Sequence, residues 1–120
     1  MGGAFQSKPV DMAGDSASFV KEKVAAFPLV VFSKKRCPYC TLAKEVLAKY
    51  KSKVEVVELD DRPDMDEVQT VLGELTGART VPRVFIGGKC IGGGSETQQL
   101  DKEGKLEAML RDAGVQMAQN

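Results

Sequence analysis

The chain has 120 residues, 42% of them hydrophobic, and its 17 basic and 17 acidic side chains leave a formal net charge of zero. That is the size of one domain with a single core, in the composition range of folded globular proteins. Charge balance removes any overall pull toward nucleic acid or membrane, and no apolar run approaches the roughly 18 residues of a membrane helix.

Residues 1–14, rich in Gly, Ala, Ser and Pro, read as a flexible tail ahead of a folded domain over 15–116. Asp11 and Asp15, with no continuous apolar segment beside them, do not make a secretory signal, and the lack of Arg argues against a transit peptide. The Met1-Gly2 start fails as a myristoylation signal because Gln6 stands where Ser or Thr is needed. Three cysteines, only two of them close together, suit a reducing compartment, and cytoplasmic residence is the expectation.

Ser16 and Ser18 are candidate helix starts, and Phe19, Val20, Val24 and Phe27 then give a short amphipathic helix ending at Phe27-Pro28. Leu29-Val30-Val31-Phe32 reads as a buried strand. Cys37-Pro38-Tyr39-Cys40 follows, and Leu42, Ala43, Val46, Leu47 and Tyr50 continue at helical spacing to about Tyr50. Pro38 suits the first helical position, where its missing N–H costs nothing. Cys37 therefore faces the unpaired amides of a helix start, with Lys34, Lys35 and Arg36 just before it. Thiols in such places titrate at about 3.5–7.5 instead of about 8.5, so Cys37 is expected to be a thiolate at neutral pH. Cys40, one turn on, shares a face with Ala43 and Leu47 and should be more enclosed. The pair reads as an exposed attacker and a sheltered resolver.

Val54-Glu55-Val56-Val57-Glu58-Leu59 is a second strand, parallel to the first through a right-handed crossover. Asp60-Asp61-Arg62-Pro63 punctuates. A helix with Met65, Val68, Val71, Leu72 and Leu75 on one face stops at Gly77. Val84-Phe85-Ile86, Gly87-Gly88 and Lys89-Cys90-Ile91 form a hairpin, with Phe85 opposite Cys90 and Val84 opposite Ile91. Gly92-Gly93-Gly94 leads into Ser95, which with Gln98 matches a capping box. Leu106, Met109, Leu110 and Ala113 make a last helix closed by Gly114. The sum is an α/β chain of thioredoxin-like fold, a four-stranded mixed sheet with helices on both faces. Within it, a Cys-x-x-Cys at the first strand-to-helix turn marks redox chemistry.

The competing readings are weaker. Tetrahedral zinc wants about four Cys or His ligands, and the chain has no histidine and one further cysteine, so no metal is expected. Cys90 reads as a small buried hydrophobe, not a regulatory thiol. Lys35 and Arg36 read as solvated charges that raise the local potential. Arg79 and Arg83 are balanced between anion attraction and simple solvation.

Three blocks together resemble a dithiol glutaredoxin over roughly residues 16–115: Lys34 with Cys37-Pro38-Tyr39-Cys40, the run Leu75 to Gly87 containing Thr80-Val81-Pro82, and Ile91-Gly92-Gly93. The resemblance implies reduction of protein–glutathione mixed disulfides and protein disulfides, with glutathione as electron donor, Cys37 and Cys40 as catalytic residues, and a monomer acting on client proteins. It also implies that Pro82 is cis beside the cysteines and that Thr80 and Val81 present their backbone to glutathione. Lys34, Tyr39 and Gln69 would line the groove, with Lys34 and Gln69 on the glycine carboxylate. Gly93, Gly94 and Ser95 would hold the γ-glutamyl end. Many family members carry Cys-Ser-Asp after the paired glycines; this chain has Gly94-Ser95-Glu96, so Glu96 ranks behind Ser95 as a contact. The alternative from the same resemblance is a dimer holding an iron–sulfur cluster through Cys37 and glutathione, against which the stiffening Pro38 argues. A thioredoxin-type reductase fits less well, since the chain has no Trp.

Overall fold

The computed structural model describes residues 11–118. The tail expected over 1–14 therefore lies mostly outside the described residues. Among the described residues five α-helices surround one sheet: α1 (Asp15–Ala26), α2 (Pro38–Ala48), α3 (Met65–Thr76), α4 (Gly94–Lys102) and α5 (Leu106–Asp112). The strands are β1 (Leu29–Ser33), β2 (Glu55–Glu58), β3 (Arg83–Ile86) and β4 (Lys89–Gly92), in the order β2-β1-β3-β4. β1 is parallel to β2 and antiparallel to β3, and β3 and β4 form the hairpin.

Alternation along β1 builds both cores. Val30 and Phe32 face one side and pack with Val57 and Phe85 under α1 and α3, through Ala17, Val20, Val68, Val71 and Leu72. Leu29 and Val31 face the other side, with Val84 and Ile86, under α2 and α5 through Ala43, Val46, Leu47, Leu106 and Leu110. β1 is buried throughout because both faces are covered, which is why it reads as a continuous apolar run. Phe32 and Phe85 meet edge to face, ring centroids 5.7 Å apart.

Several boundaries differ from the sequence expectation, each for a local reason. α1 begins at Asp15, with Gly14 at its cap. Ser16 is buried one residue inside, where its hydroxyl donates to Asp64 Oδ2 at 2.8 Å and ties α1 to the start of α3. α2 stops at Ala48, two residues short of Tyr50, and Lys51 takes a left-handed φ of 53°. Leu75 is 44% exposed and lies off the buried face of α3. Phe85 does pair with Cys90, but a register shift sets Val84 opposite Gly92 instead of Ile91. Cys90 is half-buried because β4 is an edge strand. After the hairpin the described residues form two helices, α4 and α5, parted at Gly104, whose φ is 71°.

Candidate functional site

The site lies at the carboxyl ends of β1 and β2, where open α/β sheets bind ligands. Pro38 occupies the first turn of α2 and Cys37 caps it in extended conformation. Cys37 is half-buried, with its sulfur 3.8 Å from the Val81 carbonyl oxygen, the acceptor for its S–H. Cys40 is completely buried, and its sulfur accepts from the Lys34 amide at 3.4 Å. Burial pushes the Cys40 thiol up, and the neighbouring Cys37 adds to the rise. The two sulfurs are thus unequal in access, Cys37 half-buried and Cys40 enclosed.

Two chain segments join the start of α2 around Cys37. The Val81–Pro82 bond is cis and stands beside it. Thr80 is exposed and Val81 half-buried, and among the described residues their amides have no backbone partner, leaving an open edge for an extended peptide. α4 is the second segment. A Cβ added at Gly94 would lie 2.6 Å from the Tyr39 carbonyl oxygen, and one at Gly93 would lie 3.1 Å from the Pro82 carbonyl. The starts of α2 and α4 therefore press together, and two helix N-termini bias the same place toward negative charge.

The other site residues divide. Tyr39 is 58% exposed, the most exposed large hydrophobic among the described residues, and stands at the mouth of the groove. Lys34 is half-buried with no ion-pair partner among the described residues, free to meet a carboxylate. Ser95 is exposed on the first turn of α4. Gln69, in contrast, donates from Nε2 to the Arg79 carbonyl at 3.0 Å, so it holds the loop leading into Thr80. Gly94 spaces the two helices.

Glu96 has a role of its own. The cap of α4 is Gly93, two residues before Ser95, and the Gly93 amide donates to Glu96 Oε1 at 2.7 Å. That amide, first among its neighbours, holds the Glu96 carboxyl below its ordinary range. The expected Ser95–Gln98 box is thus replaced by the carboxylate arm of a box based on Gly93. The side chain lies across Gly92, where a Cβ would come within 2.6 Å of Glu96 Cγ and where φ is 114°.

Arg83 folds back so that Nε donates to the Pro82 carbonyl at 3.0 Å, with the guanidinium beside Gly93 and attracted to Glu96. Arg79 pairs with Asp66 at 2.7 Å on the surface. Sequence reasoning missed the fully buried Ser33, whose hydroxyl stands beside Cys40 and donates to the Lys34 carbonyl at 3.3 Å, and the Lys44–Glu58 ion pair at 2.6 Å. They are too far apart along the chain for any spacing rule to join them.

The glutaredoxin family model matches residues 29–91, from β1 to the end of the hairpin. The glutaredoxin of Ricinus communis is 51% identical over 95 residues, covering 79% of this chain and 93% of that protein. Glutaredoxin-C2 of Arabidopsis thaliana is 50% identical over 95 residues, covering 79% and 86%. The crystal structure of the buckwheat glutaredoxin–glutathione complex superposes with a TM-score of 0.80 at 40% identity, over 82% of this chain and 90% of that one. Unequal sulfurs at the start of a helix, a cis-proline beside them and this likeness in sequence and fold agree: the chain belongs to the glutaredoxin family.

Proposed function

We propose that this glutathione-dependent thiol oxidoreductase chiefly reduces mixed disulfides between proteins and glutathione, with Cys37 as the attacking sulfur. The supporting observation is the asymmetry of the pair: Cys37 half-exposed at a helix start, Cys40 enclosed with its thiol pushed up. Cys37 thiolate attacks the glutathione-side sulfur, the protein–glutathione S–S bond breaks, and the released protein thiolate takes a proton from solvent. A glutathione thiolate then attacks the glutathionyl sulfur on Cys37, giving glutathione disulfide and restoring the Cys37 thiolate. Lys34 and Tyr39 border the bound tripeptide, Thr80 and Val81 pair with its backbone, and the start of α4 at Gly93 and Ser95 receives its γ-glutamyl carboxylate.

Cys40 is dispensable for that route and serves reduction of protein disulfides by closing a bond with Cys37. Cytoplasmic residence and a monomeric state belong to the same proposal, supported by the odd cysteine count and the balanced charge. The test is turnover of a glutathionylated peptide with glutathione as sole reductant. Cys37→Ser should abolish it and Cys40→Ser should keep most of it; equal loss in both overturns the roles. Visible absorbance in an anaerobically purified dimer would move the reading to the cluster-holding alternative.

A further inference from the structure

One polar side chain under α2 has no part in the Cys37 route. Side chains alternate along β1, so Leu29, Val31 and Ser33 point to the face that α2 covers. Leu29 and Val31 pack there with Ala43, Val46 and Leu47. Ser33 ends the row, completely buried, with its hydroxyl beside the completely buried Cys40 sulfur. That hydroxyl donates to the Lys34 carbonyl at 3.3 Å, which is long for an O–H donor. The Lys34 amide donates to the Cys40 sulfur at 3.4 Å. A hydroxyl proton turns about its C–O bond, so Ser33 can leave a weak carbonyl contact for a better acceptor with little movement. A buried thiolate is such an acceptor, since an ion held away from water needs donors in its place.

We propose that the Ser33 hydroxyl turns onto the Cys40 sulfur and, with the Lys34 amide, stabilises its negative charge whenever the Cys37–Cys40 bond opens or closes. This rests on the redox reading above and deepens it. In opening, glutathione thiolate attacks the Cys37 sulfur, the Cys37–Cys40 bond breaks, and its electron pair goes to Cys40. Cys37 is left bonded to glutathione. Cys40 then takes up a proton through solvent, replacing the one that glutathione lost on ionising. Closing runs the same path backward: Cys40 ionises, attacks the Cys37 sulfur and releases glutathione as a thiolate. No reductant beyond glutathione enters. Burial raises the Cys40 thiol most and Cys37 adds to the rise, while the Lys34 amide and the Ser33 hydroxyl oppose it. The reduced protein therefore carries Cys40 as a thiol near neutral pH. The two donors act chiefly on the charged transition state and not on either end state.

The experiment uses a matched pair of variants. Ser33→Thr keeps a hydroxyl and Ser33→Val replaces it with a methyl, both β-branched, so the effect of added bulk is common to the two. Each variant and the unaltered protein is oxidised with glutathione disulfide and then mixed with glutathione near neutral pH. Acid quench, alkylation of free thiols and intact mass follow loss of the Cys37–Cys40 bond. Ser33→Val should open about tenfold more slowly than Ser33→Thr, the low end of what a hydrogen bond to a charged group contributes. Ser33→Ala, smaller than either, should open about tenfold more slowly than the unaltered protein. The oxidised fraction at a fixed ratio of glutathione disulfide to glutathione should be alike in all of them, because the thiolate appears in neither end state. With Cys40→Ser added, the Thr and Val forms should turn over a glutathionylated peptide at equal rates. Opening rates indifferent to the hydroxyl in both comparisons overturn the proposal. So does slow opening matched by an equal shift in the oxidised fraction, which would trace the effect to the fold. A Thr–Val difference that persists without Cys40 overturns it as well, since the hydroxyl would then act through Cys37. If the unaltered protein forms no Cys37–Cys40 disulfide that glutathione opens, it is the redox reading itself that fails.

Discussion

The glycines of the site are defined by what stands against them, not by freedom alone. Gly94 has no room for a methyl, since the Tyr39 carbonyl is 2.6 Å from where one would go. Gly94→Ala must push α4 away from the start of α2, and overpacking of this kind costs about 1–3 kcal/mol. The expected outcome is a lower urea midpoint together with a raised KM for glutathione, because the same junction shapes the groove. An unchanged KM would mean that the two helix starts do not jointly bind the tripeptide. Glu96 offers a second check. Glu96→Ala removes the arm that satisfies the Gly93 amide and should cost about 1 kcal/mol, whereas Glu96→Gln keeps an acceptor and should cost less. The Glu96 carboxyl is depressed in the folded state, so its contribution is present above the unfolded value of about 4.3 and fades as pH falls below it. The difference between Glu96→Ala and the unaltered protein, measured by denaturation, should therefore shrink in acid.

Between elements, α2 and α4 are fastened at their far ends as well as at the site. Asp101 on α4 accepts from Tyr50 Oη and pairs with Lys49, both just past α2. Lys49 first and Tyr50 second lower the Asp101 carboxyl, and the same contact pushes Tyr50 up to about 12. A raised tyrosine stabilises fully below its unfolded value of about 10, and that share disappears as pH climbs through about 12. Tyr50→Phe should then lose less stability than the unaltered protein between pH 9 and 12, as read from denaturation midpoints; parallel losses would discount the contact. The tie also explains what the sequence made legible. Tyr50 continues the apolar stripe of α2 and was read as its last turn, yet it serves the helix across the way. Periodicity located the four strands and, Leu75 apart, the apolar faces of α1, α2, α3 and α5, because each face must be buried. It misplaced the start of α4 because Gly93 as a cap leaves no side-chain signal, and only Glu96 three residues on betrays it. It could not foresee the shift at Val84 or the break at Gly104, which depend on how β4 and α4 meet their neighbours. The cysteine motif was readable because four consecutive residues carry it; the Lys44–Glu58 pair was not, because it joins α2 to β2 only in the folded chain.

At the scale of the whole molecule, the site is assembled from parts that belong to different cores. α2 and α5 close one face of the sheet, while α1 and α3, which leads through Gly77 into the Thr80–Pro82 loop, close the other. α4 joins them by touching both Tyr39 and the Pro82 carbonyl. A ligand bound across these segments must hold both halves of the fold together, so its binding energy becomes folding energy by mass action. For the Cys37→Ser, Cys40→Ser double variant, which cannot exchange disulfides, glutathione at 100 times its Kd should stabilise the protein by about 2.7 kcal/mol. For a chain of this size that corresponds to a rise in Tm of roughly 10 °C, measurable by scanning calorimetry. Gly94→Ala added to that variant should shift the dependence to higher glutathione concentration without changing its logarithmic slope. A Tm indifferent to glutathione at any concentration would mean that the convergence of α2, the cis-proline loop and α4 is a packing solution and not a binding groove.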